Sequence, residues 1–189
     1  FAGGAESASL QPRRIYPEND ERSRLRNPEF TAAQFIPGEY GDDAMLIGAE
    51  RAAKRAGISR DEADEAALLS QQRAKEVQEK GLLSDVILPL FGSTRDEAIR
   101  KRMTEKLLAR APRVTDFPEG ILTAANTCTI NDGAAFVAVA SERWLRKQGL
   151  TPSAEIRGLK LYASDPKVPP LSADEAVASL LKEKGLSYT

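Results

Sequence analysis

One continuous apolar run stands out from the pattern of hydrophobic and polar positions along the chain. It spans residues 134–140, Ala-Ala-Phe-Val-Ala-Val-Ala, and Asn131-Asp132-Gly133 breaks the chain just before it. A short apolar run bounded by turn signals is typical of a strand buried on both faces of a layered α/β fold. The small, hydroxyl and amide side chains of residues 123–129 predict a tight loop before this strand, where such folds commonly bind ligands. A packed turn without a ligand explains the loop equally well.

Amphipathic stretches with end signals predict the helices. They are expected at residues 42–56, 59–80, part of 94–110, 141–148, and from Ser172 onward. Capping boxes open two of them, Ser59-Arg60-Asp61-Glu62 and Ser172-Ala-Asp-Glu175, because each pairs a serine with an acid three residues later. Glycines that follow the apolar periodicity are typical helix stops.

Two further segments predict strands, and one long segment predicts nothing regular. Residues 86–90 form a short apolar run with a proline at its edge, and residues 154–163 alternate imperfectly between apolar and polar side chains. Strands that alternate with helices indicate an α/β fold. Residues 10–41 lack periodicity and contain five arginines and four prolines, which is typical of a solvated excursion or a functional loop.

Composition narrows the class of protein. The 189 residues are 41% hydrophobic and carry a net charge of −1, so no basic field indicates nucleic acid or an anionic membrane as a partner. The single cysteine, Cys128, excludes an intrachain disulfide and suits the cytoplasm or another reducing compartment. No apolar stretch approaches the roughly 20 residues of a membrane span. The opening Phe1-Ala-Gly-Gly is typical of the tail of a strand, which suggests an internal segment of a longer polypeptide.

Three ordered motifs resemble those of the thiolase family. Residues 123–126 and 130–135, Thr-Ala-Ala-Asn and Ile-Asn-Asp-Gly-Ala-Ala, resemble the signature T-A-G-N-x-S-x-x-N-D-G-A-A. Residues 2–7, Ala-Gly-Gly-Ala-Glu-Ser, are similar to the A-G-G-x-E-S that ends a core strand after the nucleophile helix. Residues 58–74 resemble the helical I-S-R-E-E-x-D…S-Q-x-x-A motif. The resemblance covers nearly the whole chain.

The resemblance implies an α/β fold, a thiolase-like layered α-β-α segment with an inserted, mostly helical loop domain. The implied division is the end of a core strand at 1–9, the loop domain at 10–122, a core strand and helix at 123–150, and the start of the second half at 151–189. Residues 10–41 would project from the core and contribute to subunit contacts. The aromatic residues of that region would anchor it to another subunit or to its own domain: Tyr16, Phe30, Phe35 and Tyr40. A homo-oligomer or complementary thiolase segments are the expected partners.

The resemblance also implies a coenzyme A surface. Met45 aligns with a methionine of the pantetheine tunnel, Arg100 with an arginine that packs on the adenine and its phosphates, and Gln71 with a recurrent glutamine of the loop domain. Ala124, Ala125 and Cys128 match the loop against which the pantetheine lies. Cys128 stands where the family has serine, and a small buried residue with an unreactive thiol is expected there.

Several positions depart from the family pattern. Ala44 stands where many thiolases have histidine, Val114 where phenylalanine is common, and Ala125 and Thr129 replace glycines, so the tunnel is expected to differ in shape or specificity. The segment before Arg100 is also shorter than in the family.

Catalytic chemistry is the main departure. Thiolases use a nucleophilic cysteine, an activating histidine and a second cysteine, but this sequence has no histidine and Cys128 is not in a nucleophile context. The sequence therefore predicts a segment of a thiolase-type acyl-CoA acyltransferase, acting by thiolytic cleavage or Claisen condensation, that supplies coenzyme A surface without catalytic residues. Coenzyme A or acyl-CoA would be its substrate, with no permanently bound cofactor or metal. The alternative is a non-catalytic acyl-CoA-binding or scaffold subunit that works with a partner chain.

Overall fold

The computed structural model combines helices and short strands and describes residues 1–24, 29–30, 36, 38, 41 and 43–188. Its strands are β1 (Ala2–Ser7), β2 (Arg14–Ile15), β3 (Glu29–Phe30) and β4 (Asp132–Val137). Its α-helices are α1 (Ala44–Ala56), α2 (Arg60–Glu79), α3 (Glu105–Arg110), α4 (Glu142–Gln148) and α5 (Pro169–Lys184). The chain divides into two compact units. Unit 1 contains residues 1–31, 130–165 and 169–189, and unit 2 contains residues 32–129 and 166–168.

Unit 1 is built on the antiparallel pair of β1 and β4. The register runs from Ala2 opposite Val137 to Ser7 opposite Asp132. Ser9 extends the pairing, since its backbone N–H and its hydroxyl donate to the Asp132 carboxylate at 2.8 and 2.6 Å. The apolar run does contain a strand, but the prediction that it is buried is wrong: every residue of β1 and β4 is exposed. Within the described part of the chain each of these strands pairs only with the other.

The C-terminal part of unit 1 corrects two predictions. Residues 154–163 form no strand, and they contact α5 instead, where Lys160 forms an ion pair with Glu183. Helix α5 begins at Pro169 rather than at Ser172, because proline has no backbone N–H to lose in the first turn and its φ is already helical. The Ser172 hydroxyl therefore lies within the helix and is hydrogen-bonded to that of Ser164 at 2.6 Å.

Local signals predicted the helices of unit 2 well. Helix α1 ends in Gly57, whose φ of 70° is the left-handed C-cap conformation that glycine adopts at low cost. Helix α2 begins with the predicted capping box: the Ser59 side chain accepts from the Glu62 amide, and the Glu62 carboxylate accepts from the Ser59 amide. The Ser59 amide and, to a smaller extent, the Ser59 hydroxyl donate to the Glu62 carboxylate and lower the pKa of Glu62. The expectation of a helix within 94–110 is confirmed by α3.

The predicted strand at residues 86–90 is wrong. Residues 81–86 form turns, and Leu90 makes only an isolated antiparallel bridge with Ser93. The apolar side chains of this segment remain in solvent, with Leu88 81% and Phe91 99% exposed. Apolar residues in a row are therefore not sufficient for a strand where no neighbouring strand accepts their backbone hydrogen bonds.

The described residues of the segment 10–41 include a small sheet, the antiparallel pair of β2 and β3. Tyr16 lies under the guanidinium of Arg22 at 3.5 Å, which keeps this aromatic ring within its own segment. The Arg22 side chain also binds Asp20 at 2.5 Å and lowers the pKa of that carboxyl to about 2. The side chain of Phe30, together with Phe35 and Tyr40, lies outside the described residues. Across the described residues, no helix combines the length and the apolar character of a membrane span.

Candidate functional site

An open cleft in unit 2, with a volume of about 380 Å³, gathers small apolar groups and two guanidinium groups. Its lining consists of Arg100, Leu107, Arg110, Ala111, Pro112, Ala124 and Ala125. These residues come from α3, from the segments directly before and after it, and from a turn at residues 123–126. The cleft thus combines an apolar surface with cations at its margin, the composition typical of a site for an amphipathic anion.

The turn at residues 123–126 closes on itself. Thr123 is completely buried, and its hydroxyl accepts hydrogen bonds from the backbone amides of Ala125 and Asn126. The Asn126 side chain in turn binds Thr123, because its Oδ1 accepts a hydrogen bond from the Thr123 amide at 2.7 Å. The predicted tight loop is confirmed, and its hydroxyl and amide side chains are used to close it.

A polar network fixes this turn to α2 and α3. Asn126 Nδ2 donates to Asp64 Oδ1 at 2.9 Å, and Arg60 Nε donates to Asp64 Oδ2 at 2.7 Å. Arg60 also donates to the carbonyl of Leu108 at 2.6 Å, so that three segments meet around two side chains of α2. The sequence motifs contain Arg60, Asp64 and Asn126, but nothing in the motifs indicates that these side chains bind one another.

Arg100 forms a second connection between the turn and α2. Its Nη2 donates to the carbonyl of Ala124 at 2.7 Å, and its Nη1 lies 3.5 Å from that of Ala125. Its backbone amide donates to Gln71 Oε1 at 2.8 Å. Four predicted residues, Gln71, Arg100, Ala124 and Ala125, are therefore brought together. A guanidinium has five N–H donors, so Arg100 retains donors for a ligand beyond these carbonyls.

Three predicted residues do not line this cleft. Gln71 is connected to it only through the backbone amide of Arg100. Met45 lies in the first turn of α1 and is 37% exposed, and Cys128 follows the turn as an exposed thiol. The expectation that Cys128 is a small buried residue is wrong. Their roles toward coenzyme A stay predictions. Among the described residues, no cluster of histidine, cysteine or acidic side chains suits a metal ion.

A buried carboxylate, which the sequence did not indicate, lies behind the turn. Glu50 of α1 is only 2% exposed. Its Oε1 accepts from the Thr115 hydroxyl at 2.9 Å and from the Leu122 amide at 3.1 Å, and its Oε2 accepts from the Ile121 amide at 2.8 Å. Hydrogen bonds from neutral donors thus compensate for the loss of water around this charge.

The sequence matches curated proteins over nearly its whole length. The family model described as "Thiolase, N-terminal domain" covers residues 1–143. A putative acetyl-CoA C-acetyltransferase of Bacillus subtilis is 36% identical over 96% of this chain and 46% of its own length. A beta-ketoadipyl-CoA thiolase of Escherichia coli is 34% identical over 99% of this chain and 50% of its own. The chain therefore spans about half the length of the curated relatives it matches.

Solved structures agree with the fold. The human mitochondrial 3-ketoacyl-CoA thiolase, solved in complex with CoA, is 30% identical, with a TM-score of 0.79 over 98% of this chain and 48% of that one. The acetyl-CoA acetyltransferase of Bacillus anthracis is 26% identical, with a TM-score of 0.73 over 97% of this chain. The resemblance of the three motifs is thereby confirmed, and so is the α/β, thiolase-like fold. The chain belongs to the thiolase family.

Proposed function

We propose that this chain supplies part of the coenzyme A binding surface of a thiolase-type acyl-CoA C-acyltransferase, which acts by thiolytic cleavage or, in the opposite direction, by Claisen condensation of acyl-CoA. The observation that supports this most is that Arg100, Ala124 and Ala125 line one open cleft, with Gln71 hydrogen-bonded to the backbone amide of Arg100. These residues were singled out from sequence alone, and they come from segments up to 54 residues apart in the chain.

The chemistry of the cleft suits the ligand. Coenzyme A joins a slender pantetheine arm to an adenine nucleotide with several phosphates. Small side chains such as Ala124 and Ala125 leave room for the arm to approach the backbone. The guanidiniums of Arg100 and Arg110 provide planar cations for phosphate contact or for stacking on a purine. The human relative that was solved with CoA adds support, since its fold matches nearly all of this chain.

Catalysis is assigned to groups beyond this cleft. The 189 residues contain no histidine, and Cys128 lies in the loop after the turn rather than in a nucleophile motif. The chain alone therefore has no imidazole to generate a thiolate. In this proposal the cysteines and the histidine come from polypeptide outside these residues or from a complementary segment, and a homo-oligomer remains the expected assembly.

A non-catalytic acyl-CoA-binding or scaffold subunit is the second candidate. The missing histidine and the exposed apolar side chains of unit 1 favour it, because a subunit of this kind needs a partner chain rather than its own nucleophile. The intact mass of the native polypeptide separates the two candidates. A Cys-Gly-Ser-Gly-type motif upstream, with Asn-Glu-Ala-Phe and Gly-His-Pro motifs downstream, would favour the enzyme.

Calorimetric titration with coenzyme A tests the cleft. Ala124→Leu adds three heavy atoms at the turn and should weaken binding about five- to hundredfold, since bulk forced between the turn and a bound pantetheine arm would cost roughly 1–3 kcal/mol. Ala66→Leu, on an exposed position of α2, is the matched control and should leave affinity unchanged. A lowered melting temperature with unchanged affinity for Ala124→Leu would reduce the turn to a packing element.

Removal of the arginine tests the phosphate contact separately. Arg100→Ala should weaken binding and also reduce the dependence of affinity on salt, because a charge pair with phosphate is lost. Arg73→Ala removes an exposed cation of α2 and should change neither quantity. Equal salt dependence in the parent and the Arg100→Ala protein would contradict the assignment.

An activity assay tests the proposal that this chain binds coenzyme A but does not supply the catalytic groups. The 189-residue chain should not catalyse thiolysis of acetoacetyl-CoA, because it lacks the imidazole and a nucleophile context for its thiol. Turnover clearly above a buffer blank, persisting in a Cys128→Ala variant, would overturn this part of the proposal.

A further inference from the structure

The buried carboxylate of Glu50 is an unusual choice for its place in the fold. The other residues that α1 buries are small, namely Ala44, Gly48 and Ala52. Glutamate is almost never fully buried unless its charge is paired or hydrogen-bonded, since the lost hydration must be replaced. Glu50 is 2% exposed and receives three hydrogen bonds. The groups that donate these hydrogen bonds should therefore show what the buried carboxylate does in unit 2.

The partners of Glu50 are donors only. Two are consecutive backbone amides, those of Ile121 and Leu122, and the third is the Thr115 hydroxyl. Gly120 makes the approach possible, because a Cβ added there would overlap Glu50 Oε1 as well as Nη2 of Arg113. The carboxylate is thus fitted against a backbone segment that has no side chain at its point of closest approach.

The segment that Glu50 holds continues directly into the cleft. On its other side it lies along residues 112–114, where the Val114 amide donates to the Leu122 carbonyl at 3.2 Å and the Ala124 amide donates to the Pro112 carbonyl at 3.0 Å. The next carbonyls, those of Ala124 and Ala125, receive the guanidinium of Arg100. A displacement of residues 121 and 122 would therefore move the carbonyls that orient this arginine.

We propose that Glu50 is a positioning residue for the cleft: it sets the place of the turn at residues 123–126 and, through that turn, the orientation of Arg100. It contacts no ligand itself. The consequence for coenzyme A affinity rests on the proposed function, whereas the consequence for the turn does not.

The chemistry of the contact requires a carboxylate rather than an amide. Both Glu50 oxygens accept from a backbone N–H. In a Glu50→Gln variant the new NH₂ group replaces one of these oxygens, so in either orientation of the amide one backbone N–H faces another donor. A buried donor that loses its acceptor carries the full cost of its lost hydration. The variant keeps size and shape, removes the negative charge and breaks this match of donors and acceptors.

Hydrogen–deuterium exchange and calorimetry on the same samples test the proposal. Glu50→Gln should accelerate exchange in peptides that cover residues 117–126 and should weaken coenzyme A binding by about tenfold, the scale of a lost hydrogen bond to a charged group. Ala52→Gly is the control, because it destabilises the same helix at a buried position without a polar contact. It should leave exchange in that peptide and the affinity unchanged.

The outcomes separate this inference from the proposed function. Unchanged exchange in Glu50→Gln, or equal changes in Glu50→Gln and Ala52→Gly, would overturn the positioning role. If the parent protein binds no coenzyme A, the proposed function fails and the exchange comparison alone decides the role of Glu50. If Glu50→Gln does not fold, Glu50→Asp provides the test, since it keeps both acceptors but is one methylene shorter and should loosen the same peptide to a smaller extent.

Discussion

The two units of this chain differ in what they bury. Every buried residue that the structure describes belongs to unit 2, and three of them, Glu50, Thr115 and Thr123, are polar or charged. In unit 1 the described residues are half-buried or exposed, including all of β1 and β4. Large apolar side chains there face solvent, with Phe136 66% and Leu161 86% exposed.

This difference in burial means that the two units stabilise their backbones by different interactions. Unit 2 holds its cleft with buried polar groups whose partners are specific, so a single substitution affects both order and stability. Unit 1 holds its strands with a backbone ladder and exposed polar contacts, which are individually worth little in water. Large apolar side chains that face solvent, as in unit 1, mark protein interfaces where they cluster. This agrees with the expectation of partner subunits or complementary segments, which stays a prediction.

Truncation of core and surface leucines gives the largest expected contrast. Leu108 in unit 2 is 2% exposed, and Leu108→Ala should lower the free energy of unfolding by about 2–5 kcal/mol, because a cavity adds to the lost burial. Leu161→Ala in unit 1 should change it by less than about 0.5 kcal/mol. Denaturant titration of both variants measures the contrast. Similar costs would mean that unit 1 is covered in solution, for instance by self-association.

Removal of the polar network at the turn should have the next largest effect. Asn126→Ala leaves the Thr123 amide and the Ile121 carbonyl without their side-chain partners and should cost about 1–3 kcal/mol. Ser9→Ala removes the exposed contact with Asp132 in unit 1 and should cost less. Thermal melting compares the two. A larger loss for Ser9→Ala would invalidate the contrast between buried and exposed polar contacts.

Helix caps allow a matched comparison between the units. Ser59 caps α2 in unit 2, and Ser141 caps α4 in unit 1 by accepting from the Trp144 amide. Ser59→Ala should lower the stability of unit 2 by about 1 kcal/mol, the usual cost of a lost N-cap. Ser141→Ala should only increase fraying of the seven-residue α4. Amide exchange along both helices distinguishes a cooperative loss from a local one.

Lowering the pH should have the smallest effect on stability, and this effect should be confined to unit 1. Hydrogen bonds from the Ser9 hydroxyl and amide lower the pKa of Asp132 below its ordinary value. A lowered folded-state pKa stabilises above the unfolded value of about 3.9, and the stabilisation disappears as pH falls through the folded pKa. Pairing of β1 with β4 should therefore loosen below about pH 4. Asp132→Asn should remove this pH dependence in melting curves, and an unchanged profile would contradict it.

Local chemistry determined which parts of the fold could be predicted. The Ser59 capping box and the Gly57 and Gly149 stops lie within a few residues of the helix ends they define, so the sequence contains the whole signal. Strands at 86–90 and 154–163 were wrong because a strand depends on a neighbour that the local pattern does not contain. The predicted start of α5 at Ser172 is wrong because Pro169, which lies before the Ser172 capping box, already begins the helix.

The residues of the candidate site also fall into those that local sequence motifs identify and those that only long-range contacts reveal. Motif resemblance identified Gln71, Arg100, Ala124 and Ala125, which the structure brings together. It did not identify Glu50, whose hydrogen bonds join positions 65 to 72 residues apart. No short pattern marks a glutamate in an amphipathic helix as buried, because the same residue usually faces solvent. Long-range partners of this kind become visible only in the folded chain.

The pairing of β1 with β4 also has a consequence for synthesis on the ribosome. The contact between Ser9 and Asp132 spans 123 positions, so β1 emerges long before its partner strand exists. At about 5–20 residues per second, this delay is on the order of ten seconds. Residues 32–129 are complete within that time, and their prior folding would shorten the loop that β1 and β4 must close. Until then, β1 has an unpaired edge that nascent-chain chaperones can bind.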